Sequence, residues 1–513
     1  MKIVISYPPL QGPGSPMLTQ NRQFQWYHVP SYIYPLVPAS AATLLARNSF
    51  DVLWNDAITN GWSWEQFADF IQREQPDLIA FETKTPVVRQ HWRIVEQVKE
   101  LAPGCKTVLM GDHVTALPEE SLQSSRVDYV LTGGHYDFAL LGLARHLRDG
   151  EPMPQGLWYR DGEAVPNTGP CITTVDLNSL PLIDRTLTQA HLYYEKWKKR
   201  TPFFYTMAGR DCPWARCTFC AWTTTYPRFS VRSPENLLDE IGYLIEHHGV
   251  REIFDDTGTF PSGKWLDRFC EGMIERGYNK EILFSINMRY GMLEPHHPEL
   301  MKKAGFRKLK MGLESASQAT LDRIQKGTTV ERIVEDSKRI SGAGLDIQLT
   351  VMVGYPWETR EDAQRTIDLA NYLMSNGYAE MLQATVVVPY PGTPLYWEAM
   401  ENGWFRIDPK DYDRFDMTGT VFSLPDLTPE EANEMCAGVY KAFLKPKYIL
   451  QRLSRVRSPQ DLDYIWRGAI AVVGHLRDFL NSRGKPVETL HAASLHAASL
   501  HAAPLQQQKE TKQ

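Results

Sequence analysis

Hydrophobic and polar positions alternate along this chain in two separate series. Over the first 150 residues, short apolar or β-rich runs at 3–5, 51–54, 77–81, 107–110 and 129–132 are separated by amphipathic stretches with helical spacing, such as 64–74 and 91–101. Strand-like runs alternating with helical patterns predict βαβ units and a parallel, doubly wound sheet. Ligands of such sheets bind beyond the carboxyl ends of the strands. Each run here leads into small or polar residues: Tyr7-Pro8-Pro9, Asn55-Asp56, Glu82-Thr83, Gly111-Asp112-His113 and Gly133-Gly134-His135. Tight turns alone account for the glycines, whereas five such strand ends together also suit a nucleotide-like ligand.

Residues 151–195 are rich in turn material, including Glu151-Pro152-Met153-Pro154 and Leu180-Pro181-Leu182, and read as a connector. A second βα series follows, with predicted strands at 203–207, 252–255, 283–288, 308–313, 347–353 and 383–388. One helix opens at Ser233-Pro234 and stops near Gly249. Six βα units predict an incomplete (β/α)6 barrel with its chemistry at the C-terminal ends of the strands. After about residue 415 the pattern becomes helical, opening with the capping box Thr428-Pro429-Glu430-Glu431. The expected organisation is therefore a doubly wound domain at 1–150, a connector at 151–195, a partial barrel at 196–415 and a helical region at 416–485. The tail, 486–513, carries a tandem Leu-His-Ala-Ala repeat and reads as a disordered or loosely helical extension.

Length and composition narrow the class. A chain of 513 residues with 43% hydrophobic and 23% charged residues describes a soluble globular protein of about three domains. A net charge of −6 supplies no field to attract nucleic acid. The N-terminal residues run straight into a strand pattern without a cleavable signal, and no apolar run approaches the roughly 18 residues that span a bilayer. Seven cysteines are neither even in number nor dense, which argues against a disulfide framework and for a reducing cytoplasm. Residues 441–467 hold seven basic side chains against Asp461 and Asp463, so these helices are either a solvated face or a candidate for peripheral membrane contact.

The candidate chemistry lies in Cys212-Pro213-Trp214-Ala215-Arg216-Cys217-Thr218-Phe219-Cys220, which follows the first strand of the second series and Gly209. Three thiolates in nine residues suit an iron–sulfur cluster with one iron left open to a ligand. The alternative is zinc, whose structural sites take four N or S ligands. The other cysteines, Cys105, Cys171, Cys270 and Cys436, are isolated, so a fourth ligand would come from far away in the sequence.

This loop, placed on a βα barrel behind a doubly wound domain, resembles the cobalamin-binding class of radical S-adenosylmethionine (SAM) enzymes. The resemblance spans roughly residues 1–445. It extends to Gly312-Leu313-Glu314-Ser315, Lys326-Gly327-Thr328, Val353-Gly354-Tyr355-Pro356 and Pro389-Tyr390-Pro391-Gly392, which follow the order of that class's strand-end motifs. It implies that Cys212, Cys217 and Cys220 hold a [4Fe–4S] cluster whose open iron chelates SAM. One-electron cleavage then yields a 5′-deoxyadenosyl radical, and methylcobalamin supplies a methyl group to an unactivated carbon or phosphorus. Phe219, Trp222, Asp255, Asp256, Asn287, Arg289 and Glu314 become candidate SAM or cluster contacts. Tyr7, Pro8, Gly111, Asp112, His113, Gly133 and Gly134 become candidate cobalamin contacts.

The implied partners are a small-molecule or lipid-like substrate and a flavodoxin- or ferredoxin-type electron donor, with no nucleic acid. Three alternatives stay open. One is a radical SAM enzyme that oxidises, cyclises or rearranges; another is a non-catalytic zinc or electron-transfer module; the third is a degenerate N-terminal domain that binds no cobalamin. The chain departs from the family pattern at three places. Four residues rather than three separate Cys212 from Cys217. No Asp-x-His-x-x-Gly motif supplies an axial histidine, leaving His113 and His135 as nearby candidates. Gly133-Gly134-His135-Tyr136 stands where relatives carry an acidic turn.

Overall fold

The structure is a computed structural model that describes residues 1–18, 24–27, 30–195, 197–454, 456 and 461–470. The expected repeat tail and the last part of the helical region, 471–485, lie outside the described residues. Two six-stranded sheets organise the rest. The strands are β1 (Lys2–Tyr7), β2 (Ser15–Met17), β3 (Gln25–Tyr27), β4 (Asp51–Asp56), β5 (Leu78–Glu82), β6 (Lys106–Met110), β7 (Tyr129–Leu131) and β8 (Leu157–Tyr159). They continue with β9 (Phe203–Thr206), β10 (Gly209–Arg210), β11 (Ser230–Val231), β12 (Glu252–Asp255), β13 (Leu283–Met288), β14 (Phe306–Glu314), β15 (Asp346–Val353) and β16 (Met381–Val386).

The first sheet runs in the order β4-β1-β5-β6-β7-β8, parallel except for the last pair. Its central strands are buried on both faces, and for that reason they read as nearly continuous apolar runs. Helices Leu36–Arg47 and Tyr136–Asp149 cover one face, over Ile3, Ile5, Ala80 and Val108. Helices Trp64–Glu74 and Val88–Leu101 cover the other, over Val4, Ile79, Phe81 and Leu109. Ser63 and Gln66 close a capping box at the start of the third of these helices. This is a doubly wound α/β domain.

Its edge differs from expectation, because β8 comes from the segment read as a connector and pairs antiparallel with β7. The small antiparallel pairs β2–β3 and β10–β11 were also not legible in the sequence. Strands of two or three residues are too short to display a period of two, so only their pairing identifies them.

The second sheet runs β16-β15-β14-β13-β12-β9, all parallel and in chain order, as a partial barrel does. Helix Pro234–His248 begins where the Ser233 side chain accepts from Asn236 N and ends at Gly249, whose φ of +60° suits glycine. Helix Pro429–Val439, a short 3-10 turn at Tyr440–Leu444, helix Pro446–Ser454 and a helix over 461–470 follow the barrel. They are tied to its edge: Ala384 N donates to Tyr440 Oη at 3.1 Å, and Arg452 meets Glu380 at 2.6 Å.

One buried ion pair joins the two sheets. Arg210, on β10, donates from both guanidinium nitrogens to Asp137 at 2.9 and 2.7 Å, and Asp137 lies in the first turn of helix Tyr136–Asp149. Both side chains are almost fully buried. Beside them Tyr226 Oη donates to Gly134 O at 3.0 Å, and a Cβ on Gly134 would lie 2.2 Å from the Tyr226 ring. Truncating Asp137→Ala strands a buried guanidinium and is expected to cost about 3–5 kcal/mol. The double substitution Asp137→Leu with Arg210→Met should recover most of that loss in urea unfolding. Equal losses for the single and double variants would refute the pair as the joint.

Candidate functional site

The cysteine loop hangs between β10 and the short helix Trp222–Thr225, at the carboxyl end of the barrel's first strand. It is held from below. Cys212 Sγ donates to Thr259 Oγ1 at 3.2 Å, Cys220 N donates to Cys217 O at 3.2 Å, and Trp214 Nε1 donates to Gln325 O at 2.8 Å. All three cysteines are free, partly buried and line a cavity of about 610 Å³. That cavity also reaches Lys84 and Asp112 at strand ends of the first domain, residues inside the barrel, and the C-terminal helices.

The donor set suits an iron–sulfur cluster: three free thiols on one loop face the same cavity. Burial raises the Cys217 and Cys220 thiols above their usual range, with the Lys326 ammonium opposing the shift at Cys217. Metal loading of this loop therefore displaces protons.

The candidates of the barrel divide into two groups. Phe219, Trp222, Asn287, Arg289 and Glu314 line the cavity. Glu314 ends β14 with φ +60° at a break in the β14–β15 register, so the backbone is strained where this carboxylate turns inward. Lys326 Nζ meets its Oε1 at 2.7 Å, and both residues are buried. Arg289 is committed elsewhere: it donates to the carbonyls of Lys326 and Gly327 and stacks 3.9 Å from the Trp214 ring. Asn287 Nδ2 donates to Thr257 O. Asp255 and Asp256 are fully buried and do not form cavity wall; Asp255 accepts from Thr206 Oγ1 at 2.9 Å.

At the first domain's strand ends only Asp112 among the candidates faces the cavity, in an ion pair with Lys84 at 2.9 Å. His113 is fully buried and turned away, with Nδ1 on Thr85 Oγ1 and its ring against Tyr412. His135 is likewise buried, near Arg210, with its pKa lowered by burial to about 4. Tyr7 is buried and donates to Glu82 at 2.5 Å; Pro8, at the end of β1, is buried outside the cavity wall.

Gly111, at φ +126°, leaves only 2.2 Å between a built Cβ and Thr83 O. Gly133 and Gly134 pack against Cys171 and Tyr226. These glycines are there for close backbone approach. Sequence reasoning did not select Lys84 or Lys326 as site residues. Lys326 stood inside a quoted motif, which was its signal; Lys84 carried none, since its neighbour Asp112 comes from another strand.

The family model of the radical SAM superfamily matches residues 208–370, and that of the B12 binding domain matches residues 28–139. An uncharacterized methyltransferase of Pyrococcus horikoshii is 26% identical over 424 residues, covering 81% of this chain and 89% of that protein. The anaerobic magnesium-protoporphyrin IX monomethyl ester cyclase of Cereibacter sphaeroides is 25% identical over 423 residues, or 80% of this chain; the match spans 65% of that relative's length. The solved structure of the radical SAM methyltransferase TsrM from Kitasatospora setae, with cobalamin and a [4Fe–4S] cluster bound, superposes with a TM-score of 0.67. That match covers 94% of this chain and 99% of TsrM at 15% identity, so what it shows is a shared fold.

Glu82 makes the first domain pH-sensitive. Burial raises its carboxyl from 4.5 to about 7, against the opposing effects of Lys84 and the Tyr7 and Tyr136 hydroxyls. The folded state holds this proton more tightly than the unfolded chain. Its contribution to stability is therefore complete below about pH 4.5 and is lost as pH rises through 7, on the order of 3 kcal/mol in all. Glu82→Gln should flatten the decline in urea stability between pH 5 and pH 8. Parallel declines for the variant and the parent would rule this out.

Proposed function

We propose that this chain, a member of the radical SAM superfamily that carries a B12-binding domain, methylates an unactivated carbon or phosphorus centre of a small or lipid-like substrate. The observation that carries the proposal is the single cavity. Strand-end groups of the first domain (Lys84 and Asp112) and of the barrel (the three cysteines and Glu314) open onto the same space. A methyl group held by one domain and a radical formed on the other need such a shared volume.

When bound, a [4Fe–4S] cluster supplies the electron that cleaves SAM, and cobalamin supplies methyl transfer. The protein's part is to hold and position. Cys212, Cys217 and Cys220 are the iron ligands in this reading, with the Lys326–Glu314 pair beside them as the candidate anchor for the charged end of SAM. Arg289 stiffens the turn at 325–327 through its carbonyl contacts. Phe219 and Trp222 line the cavity beside the loop, and the C-terminal helices form its far wall. Electrons would arrive from a flavodoxin- or ferredoxin-type donor, and peripheral membrane contact would use the basic C-terminal helices. A non-methylating outcome is the second reading, favoured by the likeness to a cyclase.

Anaerobic protein reconstituted with iron, sulfide and hydroxocobalamin, then given SAM and a strong reductant, should form both 5′-deoxyadenosine and S-adenosylhomocysteine. Cys217→Ala should lose the cluster absorption and both products. Deoxyadenosine without S-adenosylhomocysteine would replace methylation by the second reading, and SAM cleavage retained in Cys217→Ala would remove the cluster assignment.

Glu314→Gln tests the anchor separately. It should keep the cluster absorption while raising the SAM concentration for half-maximal cleavage about 10-fold or more, the value of one lost charge-assisted hydrogen bond. An unchanged SAM dependence would exclude Glu314 from SAM binding.

A further inference from the structure

The two C-terminal helices invert the usual surface pattern. Thirteen large apolar side chains are exposed among the described residues, and seven of them lie between 444 and 470. Leu462, Trp466 and Ile470 fall at i, i+4 and i+8 and form one outward stripe, 52–67% exposed. Tyr464, Ile465 and Gly468, from the same helix, line the cavity. Leu444, Ile449 and Leu453 do both, being exposed and part of the cavity wall. The cavity therefore opens onto the apolar surface, with these three side chains at its mouth.

Charge decides what covers this surface. Residues 441–470 hold seven basic side chains against two acidic ones, in a chain whose net charge is −6. Arg452 is spent inward on Glu380, and Arg467 is spent on Asp463 and the Lys198 carbonyl. Lys441, Lys445 and Lys447 stay on the outside. A second copy of this chain would set lysines against lysines. An anionic lipid surface satisfies both features, taking apolar side chains below the headgroups and attracting the lysines at its surface.

We propose that the helix Pro446–Ser454 and the helix over 461–470 rest on an anionic bilayer, and that the substrate is a bilayer-dissolved, apolar or amphiphilic molecule that enters between Leu444, Ile449 and Leu453. The substrate claim rests on the functional reading above; the docking claim stands without it.

The test uses the full chain and sonicated vesicles of phosphatidylcholine, with and without phosphatidylglycerol. Sedimentation with the anionic vesicles, weakened by salt, is expected. The triple variant Lys441→Glu, Lys445→Glu, Lys447→Glu should lower the bound fraction at least about tenfold, and Leu462→Asp with Trp466→Asp should also lower it. Both variants should keep the parent's iron content and monodispersity, which separates loss of docking from loss of folding. Amide exchange on vesicles should slow within 441–470.

Three results would overturn the proposal: no binding to anionic vesicles, variants that bind as the parent does, or protection confined to other segments. A dimer in light scattering that Trp466→Asp dissociates would assign the face to a second copy instead. Failure of the radical chemistry would leave vesicle binding intact, so the two readings fail separately.

Discussion

Asp137 and Arg210 hold each other's charge away from water at the seam of the two sheets. Arg210 lies two residues before Cys212, so the pair fixes where the cysteine loop begins relative to the first domain. A guanidinium buried without its carboxylate is costly enough to disfavour any other docking of the two units. Gly134 reinforces the constraint by leaving no space between its backbone and the Tyr226 ring. The shared cavity follows from this docking, because it turns the carboxyl edges of both parallel sheets toward the same volume.

Within that cavity the charges are arranged around the thiols. The Lys326 ammonium is paired with Glu314, the Arg289 guanidinium is taken up by carbonyls, and the Lys84 ammonium is paired with Asp112. These pairings keep that part of the wall polar. Toward the C-terminal helices the lining becomes aliphatic and aromatic, through Phe443, Leu444, Ile449 and Leu453. The cavity thus has a thiol-bearing polar end and an apolar end.

The long elements were legible in the sequence because each carries its own period. The helix at 64–74 and the strands at 252–255 and 283–288 begin and end where the pattern places them. The pieces that were not legible, β8 and the small antiparallel pairs β2–β3 and β10–β11, are too short to show a repeat and are identified only by their pairing. The same division runs through the site. The cysteine triplet is local and declares itself by spacing. Lys84 reaches the cavity only because β5 and β6 are neighbours, and the likeness between a strand-end His113 and a possible ligand dissolves once its ring is seen packed against Tyr412.

By itself, then, the sequence determined two βα series, a thiol-bearing loop at the head of the second, and a basic helical end. Those follow from residue periodicity and local spacing, which act within a few turns of chain. Tertiary structure decided which strand-end residues face the cavity, which glycines serve packing, and that the apolar stripe of 462, 466 and 470 faces outward. Each of these depends on two segments far apart in the chain meeting at contact distance, and burial, ion pairing and close approach exist only after they have met.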